Sequence, residues 1–369
     1  MSITAWTILP ESISPSSHPC GSPAEMQGFY NTEVIMSIYL DNGYVNIGYC
    51  LGFGCNVVIL IGGRATGKTY GSLQYAINND RNIILMRRTQ SQADLINKPE
   101  FSPVNPVVND MGLLFHVKQI SKYNSGLYLG EDEKLLGYTA ALSTFSNLRG
   151  FDSSGVDLLI YDEFIPETHE RPIKGEGLAL LNVYETINRN RELQGRAPLQ
   201  MLLLSNANRL DSPILETLGL VNVVDRMRSK GQSEWINRDR GIAVFMLQDS
   251  PISKAKAETA LYKMVGESSF SDMSLKNDFA FDDMADVRSL PLAGWKLQAQ
   301  IGQLYIYKKD NHFYISRHCA GTPKKVYEDT EIDRMRFVRE NPRCREKMLT
   351  HKIFYEDYTC KTYLTNLYI

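Results

Sequence analysis

The sequence predicts an α/β protein: a mostly parallel sheet flanked by helices, then a short helical linker and a smaller α+β unit. Three observations predict it. Short apolar, β-branched runs recur at 57–61 (VVILI), 82–88 (NIILMRR), 156–164 (VDLLIYDEF), 200–208 (QMLLLSNAN) and 242–247 (IAVFML). Segments of helical spacing lie between them, the alternation that builds a parallel sheet with helices on both faces. The pattern then changes: KLQAQIGQLYIYKKDNHFYISRH (296–318) reads as meandering strands turning at Gly302 and at Lys309-Asp310-Asn311.

Taken in order, residues 1–25 are rich in Ser and Pro without a period, so they are expected as a flexible extension. Residues 26–250 form the larger domain. Its first run ends in a glycine loop, followed by a helix from Lys68 to about Asn78. Segments 112–120 and 126–130 read as a hairpin. Segment 178–193 has apolar residues at 178, 180, 181, 183, 184 and 187, a helical spacing that turns basic at its end. Residues 251–285 form the linker, with SKAKAETALYKMV (253–265) as one Ala/Lys-rich helix. Residues 286–369 form the last domain, its strands followed by helices around 329–339 and 342–350.

Composition excludes several classes. Of 369 residues, 43% are hydrophobic and 22% charged, which no disordered, collagenous or coiled-coil chain shows. A formal net charge of −2 excludes a polybasic binder. The charge is uneven, however. Residues 286–369 hold 15 Lys/Arg against 10 Asp/Glu and the rest hold 25 against 32, which hints at a polyanion partner. Six cysteines without a Cys-x-x-Cys pair predict reduced thiols rather than a disulfide framework or zinc cage. No apolar run approaches the roughly 18–20 residues that span a bilayer. Residues 1–25 lack the basic start of a secretory signal. The expectation is a cytoplasmic protein without membrane association.

GGRATGKT, Gly62 to Thr69, matches G-x-x-x-x-G-K-[ST] between an apolar strand and a helix. Gly62, Gly63 and Gly67 let the backbone wrap an anion, and Arg64, Ala65 and Thr66 complete the loop. The following helix adds its dipole and free N–H groups. Lys68 supplies a charge to the β- and γ-phosphates of ATP, and Thr69 a hydroxyl to Mg²⁺. The second signal is Asp162-Glu163. A carboxylate ending a parallel strand sits at the edge where nucleotides bind, so Asp162 can hold Mg²⁺ and Glu163 can polarise the attacking water. The third is Ser205-Asn206, either an ordinary strand-end turn or a sensor of the γ-phosphate. The fourth is Arg189-Asn190-Arg191, either C-capping arginines or a guanidinium offered to a neighbour's phosphate. Arg171 and Lys174 either solvate a loop or face DNA. His312, His318 and Cys319 lack metal spacing. The tail acids Asp310, Glu328, Asp329, Glu331, Asp333, Glu356 and Asp357 read as solvated faces rather than a nuclease trio.

GGRATGKT, LLIYDEFIPE, LLNVYETINRNRE and LLLSNA, in this order, resemble the genome-packaging ATPase family of phi29-like bacteriophages, with a weaker echo at DMSLKNDF (272–279). The resemblance implies a P-loop ATPase domain of the additional-strand (ASCE) type, a small helical linker, and an RNase H-like domain stripped of its nuclease carboxylates. It implies a homomeric ring, a pentamer, docked on the capsid portal in the host cytoplasm and pumping double-stranded DNA. It leaves open an RNA adaptor between motor and portal. By position, Lys68 and Thr69 match the phosphate-loop pair, and Arg64 an arginine within that loop. Asp162 and Glu163 match the magnesium and water-activating acids, and Arg189 the arginine given to the neighbouring subunit. The sequence departs from the family at Thr89-Gln90, where a basic residue is expected. The alternatives are a terminase with an active nuclease, a helicase-like P-loop ATPase, and a nucleotide-binding scaffold.

Overall fold

The apolar runs occupy the middle of a nine-stranded sheet in the computed structural model. It describes residues 37–368 apart from 149, 168–169, 171–172, 207–209, 211, 249, 267, 269–270, 272–273 and 276–285. The strands are β1 (Val57–Gly62), β2 (Ile83–Arg87), β3 (Phe115–Gln119), β4 (Ser125–Leu129), β5 (Lys134–Ala141), β6 (Leu158–Asp162), β7 (Gln200–Ser205), β8 (Glu234–Asn237) and β9 (Ile242–Leu247). Their spatial order is β3-β4-β5-β2-β6-β7-β1-β9-β8. The six strands from β5 to β9 in that order are parallel. Antiparallel pairings finish both edges: the expected hairpin β3-β4 beside β5, and β8 beside β9.

Successive strand residues point to opposite faces, and both faces are covered, so the central strands are apolar throughout rather than alternating. Val58 and Leu60 pack with Leu51, Leu73, Ala76 and Val107. These come from α1 (Ile47–Leu51), α2 (Lys68–Asn78) and α4 (Val104–Asp110); α3 (Gln90–Ile96) follows β2. Ile59 and Ile61 lie in the opposite layer with Leu180, Val183, Ile214 and Val224. That layer is built by α5 (Glu176–Asn188), α6 (Pro213–Thr217) and α7 (Val221–Lys230). Each fully buried Leu or Ile contributes about 1.5–3 kcal/mol, so the sheet that carries the loop at 62–69 is held from both sides.

Two expected helices differ. α5 stops at Asn188 rather than at 193. There Asn188 Nδ2 donates to Glu192 Oε2 (2.9 Å), its Oδ1 accepts from Leu199 N (2.8 Å), and Arg189 adopts φ 49°. The side chain of Asn188 thus closes the turn that leads back to β7. Segment 253–265 is two helices, α8 (Pro251–Ala257) and α9 (Ala260–Val265), separated at Thr259, whose backbone is extended.

The C-terminal residues form a second, mixed sheet of order β13-β10-β11-β12-β14. β10 (Lys296–Ile301), β11 (Leu304–Lys309) and β12 (His312–Ser316) are the expected antiparallel meander. β13 (Lys325–Tyr327) runs parallel to β10, and β14 (Ile353–Tyr355) parallel to β12. α10 (Glu331–Glu340) and α11 (Pro342–Leu349) follow the expected segments, and a further helix, α12 (Tyr358–Tyr368), was not expected; Phe337 and Leu364 pack on Ile301, Ile306 and Ile315. Both sheets belong to one unit, Ser37–Ile369. They meet where Asn222 of α7 donates to Asp357 (3.1 Å) and accepts from Thr359 of α12 (2.7 Å). The extension expected at 1–25 lies outside the described residues. Among the described residues no helix is long and apolar enough to cross a membrane, and Cys50, Cys55, Cys319, Cys344 and Cys360 are free.

β5 crosses β2 closely at Gly137, where an added Cβ would lie 2.0 Å from the Ile83 carbonyl oxygen. Gly137→Ala therefore forces the two strands apart. The expected cost is about 3 kcal/mol, read as a lower urea midpoint at unchanged m.

Candidate active site

β7 lies between β1 and β6, with Ile61 in register with Ser205 and Leu204 in register with Asp162. The three strands therefore end together at their carboxyl edge, where ligands of open α/β sheets bind. The loop, Asp162-Glu163 and Ser205-Asn206 are brought to one pocket of about 330 Å³, lined by Arg64 to Tyr70, both acids, Glu167, Ser205 and Asn206.

The loop backbone takes left-handed conformations at Ala65 (φ 63°) and Gly67 (φ 85°), the alternation that turns successive N–H groups into a concave anion site. Gly67 is the N-cap of α2, so the helix adds its unpaired N–H groups there. Gly63 is fixed by a close approach: an added Cβ would meet Ser274 O at 2.3 Å, and that oxygen accepts from Arg64 N at 3.1 Å. On the same outer side Lys256 Nζ donates to Arg64 O (3.2 Å). Lys256 and Ser274 thus both brace the loop at Arg64.

Lys68 is 8% exposed. Its ammonium donates to Gly62 O and Gly63 O (2.8 Å each), Thr66 Oγ1 (3.3 Å) and Asn206 Oδ1 (3.3 Å). Burial pushes its pKa down to about 8, with the Asp162 charge pulling the other way. Thr69 Oγ1 donates to Asp162 Oδ2 at 2.9 Å. These two oxygens are hard donors on one side of the pocket, the set that suits a divalent cation keeping several waters. Among the described residues no group of three or more His, Cys, Asp or Glu could hold a metal.

Glu163 sits at φ 60° with its side chain 57% exposed. Its carboxylate pairs with Arg87, which also binds Asp162 Oδ2 at 3.0 Å. Arg87 thus bridges both acids, and its Nε has no partner among the described residues. Ser205 is buried and its Oγ accepts from Ile165 N (3.3 Å), tying β7 to the chain after Glu163. Asn206 reaches Lys68 instead.

Other expected residues lie elsewhere. Arg189, the C-cap of α5, is exposed and donates to Thr186 O and Phe151 O (3.3 Å each), away from the pocket of its own chain. Arg191, two residues on, is buried against the carbonyls of Ser153, Ser154 and Val156 and is a structural anchor. Lys174 is exposed before α5, and Arg171 lies outside the described residues. His318 pairs with Glu356 (2.9 Å) and His312 stacks on Phe354. Asp329 and Asp333 pair with Arg334 and Arg336, so these tail acids have separate partners.

A family model described as Podovirus DNA encapsidation protein (Gp16) matches residues 44–292. The chain belongs to that family. The DNA packaging proteins of Bacillus phages PZA and phi29 are each 27% identical to it over 229 residues. That match covers 60% of this chain and 62% of each relative, so under two thirds of their length. In fold the chain is similar to the solved bacteriophage Phi-29 viral genome packaging motor assembly, with a TM-score of 0.63 and 17% identity over 88% of this chain and 98% of that one.

No motif in the sequence marked Arg87 and Arg88 as site residues. Arg87 ends β2 and Arg88 follows it; β2 pairs with β6 so that Met86 is in register with Tyr161. The available signal was two apolar runs, each ending in a charged pair, of opposite sign. Arg88, 1% exposed, binds Glu176 through Nε (2.7 Å) and a terminal nitrogen (3.0 Å), and Glu170 at 3.0 Å. Tyr161 also donates to Glu176, and burial raises its pKa well above the usual value. Thr89, which departs from the family pattern, is the N-cap of α3 in a reciprocal capping box with Gln92. Because a lone buried carboxylate is costly, Arg88→Met should lose about 3–5 kcal/mol of stability. Arg88→Met with Glu176→Gln should recover much of it in urea unfolding.

Proposed function

We propose that this chain is the ATPase of a phage DNA-packaging motor, coupling ATP hydrolysis to movement of double-stranded DNA into a preformed capsid. The observation that carries this reading is the insertion of β7 between β1 and β6. It brings Lys68 and Thr69 beside Asp162 and Glu163 in one pocket, which supports an additional-strand P-loop reading.

Loop amides within Gly62–Thr69, other than that of Arg64, which donates to Ser274 O, hold the β- and γ-phosphates with the Lys68 ammonium, and the Arg64 side chain lies at the pocket's rim. Thr69 and Asp162 are the residues that would hold Mg²⁺, which neutralises phosphate charge when bound. Glu163 accepts a proton as a water oxygen attacks the γ-phosphorus and the bond to ADP breaks. Arg87 positions that carboxylate. Asn206 touches Lys68 and Ser205 holds the chain after Glu163, so β7 connects phosphate and base through two hydrogen bonds. Arg189, solvent-facing and unable to serve its own pocket, is offered to a neighbouring subunit of a homomeric, pentameric ring. Lys174, with Arg171, contacts DNA. The ring works in the host cytoplasm at the capsid portal, with room for an RNA adaptor.

The meander β10-β11-β12 with parallel β13 supports an RNase H-like reading of residues 286–369, joined to the ATPase domain (26–250) by a linker (251–285). Dispersal of its acids among separate partners supports a domain that does not cut DNA.

Glu163→Gln should lower ATP turnover about 10²–10⁴-fold while ATP binding, measured by calorimetry, is retained. Glu163→Ala and Arg189→Ala subunits, each inactive alone, should regain part of the turnover when mixed. No recovery at any ratio would show that Arg189 does not act across subunits.

A further inference from the structure

Arg189 stands in a backbone conformation that an L side chain rarely takes. It has φ 49° and ψ −132°, a strained position for any residue but glycine. The same shape at the end of α9 is taken by Gly266, with φ 57° and ψ −148°. We propose that the buried turn around Arg189 is a mount, in which Asn188 and Arg191 are positioning residues that fix the exposed guanidinium for a neighbouring subunit's γ-phosphate. This rests on the cross-subunit role given to Arg189 above and adds the residues that hold it in place.

A strained residue persists only where its surroundings over-determine it, and here both flanks do so. On one side Asn188 is 6% exposed. Its Nδ2 donates to Glu192 Oε2 (2.9 Å) and its Oδ1 accepts from Leu199 N (2.8 Å). On the other side Arg191 is 3% exposed. Its Nη2 donates to Ser153 O (3.3 Å), Ser154 O (3.4 Å) and Val156 O. The two anchors are joined, because Arg191 N donates to Asn188 O at 3.3 Å. Between them the Arg189 guanidinium is solvent-exposed, with long hydrogen bonds of 3.3 Å each to Thr186 O and Phe151 O. The backbone is thus fixed while the charge it carries is held weakly. That suits a cation given to another chain, since a misplacement of about 1 Å at a reacting centre can cost about 10²-fold in rate.

The place of attachment makes the mount separable from the chain's own pocket. Residues 153–156 lead into β6 and Leu199 into β7, and there Gln200 N donates to Asp157 O (3.1 Å). The other ends of these two strands carry Asp162 and Ser205. The mount therefore grips the amino edge of the strands whose carboxyl edge forms the pocket, and the five residues of β6 span roughly 16 Å between them.

The test uses full-length Asn188→Ala and Arg191→Lys, with ATP binding measured by calorimetry and turnover measured alone and in mixtures. Each variant should bind ATP like the parent and turn it over about 10²-fold more slowly. Mixed with Glu163→Ala subunits, whose arginine is intact, each should regain part of the turnover. Mixed with Arg189→Ala subunits, neither should. A variant that turns over ATP like the parent, loses ATP binding, or recovers in neither mixture strikes its residue from the mount, and both failing overturns the proposal. Recovery with Arg189→Ala overturns it as well, since the turn then serves its own pocket. If Glu163→Ala and Arg189→Ala do not complement each other, the cross-subunit reading falls and takes the mount with it.

Discussion

The site depends on one constraint: an ammonium nearly removed from water must have all its protons satisfied. Lys68 meets it with two carbonyls of its own loop, the Thr66 hydroxyl and Asn206. An unpaired buried charge would cost several kcal/mol, so the loop is held curled around this nitrogen. The curl sets Ala65 and Gly67 in left-handed conformations and aligns the first turn of α2. The nearest anions, Asp162 and Glu163, are themselves restrained by Arg87. The pocket is a set of charges each fixed by another, which is how preorganised electrostatic sites avoid reorganisation during reaction.

Much of this was legible because it is local. Glycines in a fixed spacing with Lys and Thr dictate a loop from sequence alone, and an apolar strand ending in two acids places those acids at a sheet edge. What could not be read depends on which strands become neighbours. Arg87 gains its role only because β2 pairs with β6. The same holds for Arg189 and Arg191. They are the same residue type two positions apart, yet one faces solvent and the other is buried, because carbonyls of 153–156 happen to surround it.

The fold shows a similar division. The continuous apolar strands were visible, since burial on both faces leaves a run no polar position. β5 was not, because KLLGYTAA mixes a glycine and polar residues where the strand meets the hairpin edge. Short helices such as α6, with five residues, offer too little chain for a period to emerge. The strand order is contained in no local pattern, and the family resemblance implied only that the sheet is of the additional-strand type.

The brace behind the loop has a consequence for how the protein can change over generations. Ser274 meets the loop through its carbonyl oxygen, and Arg64 answers with its amide. Neither partner uses a side chain. This hydrogen bond therefore does not depend on the side chain at 274, unlike the one Lys256 makes to Arg64 O, whereas Gly63 has no latitude, since even one methyl group would break the seam. Variation should be permitted on one side of the joint and forbidden on the other.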